Sequence, residues 1–431
     1  MIGVRMERSP RADLPGRYFA TGLVAFVLFS LAVPFLAPVL VVTNQDPRMY
    51  ALTHLAVLGW ITMTVIGATY QLFPVALGGT LRGASLGRWN YWVLAAGVAG
   101  FLPSFYVIWT PGIAIFGSVI VGGLIHFVSQ MLRSYRSVSN WHVMGFYMLA
   151  AHIWLLVTLG FGAAYALNWH FQWFVISNRM LAAHVHAGLA GWLGLTVMGV
   201  SYRLTELFTG AKYRSRGVAF VCLAMWNAGL LGLLLSLVIT RGTALVLAFA
   251  AVLALTALLH VVDLLRILQS RRPAKLSIEQ WHTLASLASL LVAAALGLGI
   301  ASGLLAGGNW VVAYGYALVA GWFGFAIVGR SYLILPFLTR LHYVRSGTSQ
   351  RPAPMLHQMF EKRVARVSLL LLGCGFSGVL FGLITTSSVI VRASGALYAV
   401  GGLVFAGNLG RRAFPLALSS RDRPQTEPAS R

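Results

Sequence analysis

The sequence predicts an all-α, polytopic membrane protein with twelve transmembrane helices. Of its 431 residues, 58% are hydrophobic and only 10% are charged, a composition that soluble globular domains do not have. The apolar residues form runs of about 20 residues, the length that crosses about 30 Å of hydrocarbon. The predicted spans are 18–42, 50–77, 89–109, 112–132, 143–167, 176–202, 217–239, 243–268, 284–305, 310–338, 367–386 and 389–408.

One residue pattern recurs in the second, sixth and tenth predicted spans. A Gly-Trp pair, a second glycine and a tyrosine follow each other at the same spacing, as Gly59, Trp60, Gly67 and Tyr70; Gly191, Trp192, Gly199 and Tyr202; and Gly321, Trp322, Gly329 and Tyr332. Trp60 and Trp192 are 132 residues apart, and Trp192 and Trp322 are 130 residues apart. A fixed period of this size indicates a structural repeat. We therefore expect one membrane domain, 1–431, built from three pseudo-symmetric four-helix units at about 18–136, 141–272 and 281–410.

The basic residues predict the topology. The chain has 32 Lys+Arg, 9 Asp+Glu and a formal net charge of +23, which in a soluble domain would suggest a nucleic-acid partner. Here the basic residues concentrate in alternate loops, and the opposite loops keep only Arg48, Arg179, Arg241 and Arg392. By the positive-inside rule both termini are cytoplasmic. We therefore expect a prokaryotic inner-membrane protein, surrounded by lipid and without a nucleic-acid partner, whose polar tail, 413–431, is disordered.

Histidines accompany the repeat and predict a metal centre. His54 and His186 each stand six residues before the tryptophan of their copy, and Tyr316 takes this position in the third copy. An ionisable side chain within a membrane helix is costly and usually functional. Two histidines on facing helices suit the two axial positions of a haem iron, so His54 and His186 are predicted to hold one low-spin b-type haem.

His184, two residues before His186, predicts a second centre. At 3.6 residues per turn the two side chains point about 200° apart, so they cannot easily bind one iron. His184 would face a second haem or a copper ion, and His152 is the best remaining intramembrane ligand for it. The alternative is that His152 is a structural residue bonded to a neighbouring helix.

Three arginines are predicted to lie near the outer membrane face. Arg48, Arg179 and Arg392 stand at the starts of the second, sixth and twelfth spans. At this height they can pair with haem propionates through charge-assisted hydrogen bonds. The alternative is that they are cations that anchor the helix ends.

Two of these segments resemble haem-copper oxidase subunit I. The stretch from Thr53-His54 through Gly59-Trp60 to Gly78-Gly79 is similar to helix two of that family, which carries a low-spin haem ligand. Ala183-His184-Val185-His186 through Trp192 is similar to the family's His-x-His helix, particularly in the cbb3-type branch. The resemblance implies that His186 shares the low-spin haem with His54 and that His184 binds a high-spin haem. It also implies a respiratory oxidoreductase that receives electrons from quinol, cytochrome c or a cupredoxin subunit.

The sequence departs from the family pattern at the copper site. The family carries His-x-His on helix ten, whereas here it lies on helix six, and the seventh span, 217–239, contains no histidine. These departures argue against a dioxygen-reducing centre with copper. One alternative is a non-catalytic haem or copper protein of nitric-oxide tolerance or metal handling, similar to the NnrS family. A second alternative is a transporter, in which the repeats and buried histidines form a substrate path.

Overall fold

The computed structural model describes residues 10–139, 141–211, 216–239, 242–346, 355 and 358–418, without the side chains of 343, 345, 346 and 411–418. This part of the chain consists of helices and contains no strand, which confirms the all-α class. In order the helices are α1 (Asp13–Phe35), α2 (Pro47–Ala76), α3 (Ala84–Tyr106), α4 (Thr110–Tyr135), α5 (Val143–Phe171), α6 (Asn178–Thr209), α7 (Gly217–Val238), α8 (Thr243–Gln269), α9 (Ile278–Ala301), α10 (Gly308–His342), α11 (Lys362–Ile384) and α12 (Ser388–Leu418).

Eleven of these helices are long and apolar enough to cross a membrane, so the described chain is that of a multi-pass membrane protein. The exception is α3, which has 23 residues but carries polar and aromatic side chains such as Asn90, Trp89 and Trp92. It occupies the position of the third predicted span. The last helix continues to Leu418 and includes the start of the predicted tail, while 419–431 lie outside the described residues.

A stretch of π-helix interrupts α2, α6 and α10 at the same point of each repeat copy. The stretches are Leu55–Thr62, Ala187–Gly194 and Ala317–Phe323. They begin directly after His54, His186 and Tyr316. π-Helical turns are rare in proteins and are frequent at functional sites. The three segments that correspond in sequence therefore share the same uncommon backbone.

Glycines of the repeat bring α2, α6 and α10 against the first helix of their own unit. A Cβ atom added at Gly67, Gly199 and Gly329 would lie 2.9, 2.5 and 2.6 Å from the Cβ atoms of Tyr18, Tyr147 and His282, respectively. About two helical turns away, a Cβ at Gly59, Gly191 and Gly321 would lie 3.2, 2.7 and 2.7 Å from the Cβ atoms of Ala25, Trp154 and Ser289. Small residues permit such close approach of membrane helices. The same pair of contacts thus occurs in all three units.

The repeat tryptophans join the three central helices to one another. The indole Nε1 of Trp192 in α6 donates a hydrogen bond to Thr62 Oγ1 in α2, at 3.4 Å. A Cβ at Gly194 in α6 would lie 3.0 Å from Cη2 of Trp322 in α10, and a Cβ at Gly324 in α10 would lie 3.2 Å from Cη2 of Trp60 in α2. Thr62, Gly194 and Gly324 each stand two residues after a repeat tryptophan. Each indole therefore contacts the equivalent position of another central helix. We call this closed ring of contacts, made by Trp60, Trp192 and Trp322, the tryptophan triad.

Replacing Gly199 with alanine tests the close contact between α5 and α6. The new Cβ would lie 2.5 Å from Tyr147 Cβ, so the helices must separate, and the free energy of unfolding should fall by about 1–3 kcal/mol. Gly160→Ala in α5 is the matched control, since a Cβ there would meet no atom within 4 Å. That variant should be neutral or stabilised by up to about 1 kcal/mol. Equal thermal unfolding temperatures for the two detergent-solubilised variants would contradict the packing described.

Candidate functional site

A cavity of about 1550 Å³ lies among the helices from α2 to α10. At the end of the bundle where α2, α6 and α10 begin, which we call its entrance, the cavity is lined by the polar residues Asn44, Gln45 and Asn178. Gln45 donates a hydrogen bond from Nε2 to Asn178 Oδ1 at 2.7 Å, which links the start of α6 to the segment before α2. Pockets for small molecules and cofactors usually measure about 300–1,000 Å³. This cavity has room for more than one such group.

The cavity is lined by side chains from opposite faces of α6, and we treat the space on each face as a compartment. His184 and His186 both line the cavity but leave α6 on opposite faces, as their spacing of two residues requires. A Cβ at Gly162 of α5 would lie 3.4 Å from His184 Cε1, and the His184 ring meets the ring of Tyr165 in α5. We call the space bounded by α2–α6 the first compartment. His184 therefore faces this first compartment.

His186 faces the opposite side, toward α10. Its ring stacks on the ring of Tyr314 with 5.9 Å between centroids, and its Nε2 lies 3.2 Å from the Tyr314 hydroxyl. A Cβ at Gly297 of α9 would lie 3.2 Å from Tyr314 Cε2. These contacts define a second compartment, bounded by α6–α10.

His54 belongs to the first compartment. Its ring stacks on Phe105 of α3, with 5.4 Å between centroids and 15° between planes, and meets the edge of Phe101. The imidazoles of His54 and His184 are close enough to interact electrostatically. His186, in contrast, leaves α6 on the face turned toward α10, where it contacts Tyr314. The pairing of His54 with His186 remains a prediction. The two histidines that share a compartment are His54 and His184.

Backbone carbonyls orient two of these imidazoles. His54 Nδ1 donates to Tyr50 O at 2.7 Å and His186 Nδ1 donates to Ala182 O at 2.8 Å. A proton on Nδ1 leaves the lone pair on Nε2, the arrangement in which histidine commonly binds a metal. His282 makes the same type of bond to Ile278 O, so the bond alone does not identify a ligand.

The corresponding space on the third side of the bundle is filled by aromatic rings. Tyr316, at the position of His54 and His186, stacks on Phe376 with 5.5 Å between centroids and meets Tyr398 at 6.3 Å. Phe26 packs there against Trp60 at 4.4 Å and against Tyr398 at 6.2 Å. Tyr316 also lines the cavity, so these rings form its wall on the third side.

His152 is not brought into the cavity. It is fully buried in α5, where its ring packs among Phe127, Tyr135 and Trp192 and its Nδ1 bonds to Met148 O. It is not one of the cavity-lining residues. Within the described ranges no three His, Cys, Asp or Glu side chains come together as a group able to hold a metal ion. No contact in the described part of the chain supports the predicted pairing of His152 with His184.

The three predicted propionate partners do not line the cavity either. Arg48 makes a two-pronged ion pair with Asp46, at 2.9 Å from Nε and 2.7 Å from Nη2. Arg179 donates to the carbonyl oxygens of Ser236 and Leu237 near the end of α7, at 2.7 and 3.2 Å. Arg392 is exposed. A role for these arginines toward propionates remains a prediction.

Tyr314 is the cavity residue that the sequence reasoning missed. It stands two residues before Tyr316, as His184 stands two residues before His186. A Cβ at Gly162 would touch His184, and one at Gly297 would touch Tyr314. Extending the comparison of the three copies by two residues would have found this position, because it corresponds to His184.

The fold is similar to that of a solved oxidase. A chain of a haem-copper terminal oxidase dimer, determined by cryo-electron microscopy, superimposes with a TM-score of 0.69 over 96% of this chain and 84% of that chain. The two sequences are 13% identical, so the comparison shows the fold alone. No family model and no curated protein matches the sequence. The chain is therefore a membrane protein with an oxidase-like fold.

Asp46 lies beside the cavity entrance, and its contribution to the stability of the start of α2 should depend on pH. Its side chain accepts a hydrogen bond from Arg48 N at 2.8 Å as the helix N-cap, and the Arg48 guanidinium holds its pKa below the usual range. Asp46→Ala should lower the free energy of unfolding near neutral pH by about 1 kcal/mol. A carboxyl with a lowered folded-state pKa stabilises above its unfolded pKa, and this stabilisation is lost as the pH falls through the folded pKa. The difference between wild type and variant should therefore shrink in acid.

Asp46→Asn is the control for this experiment. The amide oxygen retains the capping acceptor, since asparagine is as good an N-cap as aspartate. Thermal unfolding measured across the acidic range should place this variant close to wild type. If Asp46→Asn is as damaging as Asp46→Ala, the ion pair rather than the cap holds the start of α2.

Proposed function

We propose that this chain is a haem-binding protein of the prokaryotic cytoplasmic membrane that transfers single electrons, with a low-spin b-type haem between His54 and His184. The observation that carries the proposal is that both imidazoles, from α2 and α6, line one mostly apolar cavity and are close enough to interact electrostatically. The oxidase-like fold supports it. A haem bound there supplies an iron couple for one-electron chemistry.

The residues around the two histidines fit a flat aromatic group. Phe101, Phe105 and Tyr165 place ring faces and edges around the imidazoles, and the remaining wall is mostly apolar, which excludes water. The bond from His54 Nδ1 to Tyr50 O fixes the ring orientation and leaves Nε2 for the iron. Two imidazoles that both bind leave no open coordination position. The first compartment therefore suits electron transfer rather than gas binding.

The membrane topology is part of the proposal. We infer twelve spans with α3 as the third, three pseudo-symmetric units (18–136, 141–272 and 281–410) and both termini in the cytoplasm. The shared π-helical stretches, the repeated glycine contacts and the tryptophan triad support the units, and the distribution of basic residues supports the orientation. In this orientation the cavity entrance faces outward. A periplasmic cytochrome c or cupredoxin subunit, or a membrane quinol, then has access to the haem as electron donor.

A second candidate function is that of a non-catalytic haem protein of nitric-oxide tolerance or metal handling, as in the NnrS family. The observation that favours it is the contact between His186 Nε2 and the Tyr314 hydroxyl. This contact uses the ring nitrogen that a second metal would need. A catalytic centre with two metals has no other group of ligands among the described residues.

Alanine substitutions of the three histidines test the proposed pairing. In a reduced-minus-oxidised visible spectrum, His54→Ala and His184→Ala should both lose the sharp α-band of low-spin haem, because each removes one axial ligand. His186→Ala is the matched control on the same helix and should retain the band. A pyridine haemochrome assay on each purified variant counts the haem that remains.

The opposite pattern would reject this pairing. If His186→Ala abolishes the α-band and His184→Ala preserves it, the partner of His54 is the one predicted from the sequence. If the wild-type protein inserts into membranes but contains no haem, the proposed function fails. Substrate-dependent flux by such a haem-free protein would establish a transporter.

A further inference from the structure

We propose that the second compartment, between α6 and α10, binds a lipid-soluble quinol whose ring hydroxyl bonds to the Tyr314–His186 pair. This site is separate from the one assigned to haem, because it uses the opposite face of α6. It assigns a site to one of the electron donors named above and rests on the proposed function in that respect, but its binding test does not require haem to be present.

The polar pair has a defined direction of hydrogen bonding. His186 Nδ1 bonds to the carbonyl oxygen of Ala182 at 2.8 Å, so the proton of the neutral imidazole lies on Nδ1. Nε2 is then an acceptor, and the Tyr314 hydroxyl, 3.2 Å away, donates to it. With its own proton turned toward His186, the Tyr314 oxygen accepts a hydrogen bond from a ligand. The pair therefore selects ligands that carry a hydroxyl donor.

This direction distinguishes a quinol from a quinone. A quinol has two ring hydroxyls that donate, whereas a quinone has only carbonyl oxygens that accept. To bond a quinone, Tyr314 must turn its proton away from His186 and leave Nε2 without a donor. The net loss corresponds to about one hydrogen bond, so the reduced form should bind about threefold to tenfold more tightly.

The walls of the second compartment suit a flat ring with an apolar tail. On α8 and α9 they consist largely of small side chains, namely Ala250, Ala254, Ala257, Ala293 and Ala294. Gly297 allows the Tyr314 ring to lie directly against α9. An apolar pocket with a few convergent polar groups is the usual form of a small-molecule site.

The compartment also lies close to the lipid. On the neighbouring face of α8, about a quarter-turn from the alanines, Leu247, Leu255 and Leu258 are exposed on the protein surface. One helix thus separates the cavity from the surrounding membrane. A ligand that resides in the membrane and carries an apolar tail fits this position better than a water-soluble one.

Binding of decylubiquinol and decylubiquinone to the full chain in lipid nanodiscs tests the proposal. Equilibrium dialysis under anaerobic conditions, with bound ligand quantified by chromatography, gives the excess over empty nanodiscs. The wild type should bind the quinol more tightly than the quinone. Tyr314→Phe should weaken quinol binding by about threefold to tenfold and abolish the preference for the reduced form.

Tyr332→Phe is the matched control, since it removes a buried tyrosine hydroxyl from the same helix at a position that does not line the cavity. It should bind as the wild type does. Ala254→Phe places a bulky ring in the second compartment from α8, a helix that does not carry the polar pair, and should remove saturable binding. Size-exclusion chromatography and thermal unfolding verify that each variant is folded. If Tyr314→Phe is unstable, Ala254→Phe still tests whether quinol binds in the second compartment.

Three results would overturn the proposal: equal affinity for quinol and quinone, unchanged binding in Tyr314→Phe, or saturable binding that persists in Ala254→Phe. A haemochrome count of two haems per wild-type chain would also overturn it, by assigning the second compartment to another haem. The α-band, recorded on the same samples, reports separately on the first compartment. A chain that binds quinol without haem would therefore reject the proposed function and retain this site.

Discussion

The tryptophan triad is the contact on which the rest of the structure depends. Trp60, Trp192 and Trp322 are all nearly inaccessible to solvent, and each reaches the position two residues after the tryptophan of another central helix. A closed ring of three such contacts fixes the spacing and rotation of α2, α6 and α10 together. Because interiors are close-packed, a shift of one indole must displace the other two helices. The remaining helices pack around these three central helices.

The fixed rotation of the central helices decides which side chains meet. A residue at the His54 position faces the residue at the His184 position of the next unit. In the first compartment these are His54 and His184, and in the second they are His186 and Tyr314. The π-helical stretch begins one residue later in each helix, so the backbone departs from α-helical geometry directly beside the functional side chains. The same backbone geometry thus places two histidines in the first compartment and a histidine with a tyrosine in the second.

On the third side of the bundle, the position that corresponds to His54 and His186 carries a tyrosine, and aromatic rings pack around it. Tyr316, Phe376, Tyr398 and Phe26 fill this side with ring contacts, which contribute to stability through burial and edge-to-face packing. In the family that the sequence resembles, the His-x-His motif lies on helix ten, which here borders this filled side. With the motif on α6, the histidine site is displaced by one unit around the bundle. The fold is therefore similar to an oxidase, while the site proposed for this chain occupies a different side.

The sequence by itself determined the helical membrane class, the approximate positions of eleven spans and the three helices that carry the motif. Apolar run length and fixed spacing are local properties of the chain. The sequence also determined that His184 and His186 must diverge, since helix geometry requires it. Only the tertiary structure decided that His54 and His184 line the same cavity within electrostatic reach, that Tyr314 contacts His186 and that His152 lies outside the cavity. The side of α6 that faces α2 depends on how the tryptophans and glycines set helix rotation. That rotation arises from contacts between residues about 130 positions apart, which no local pattern encodes.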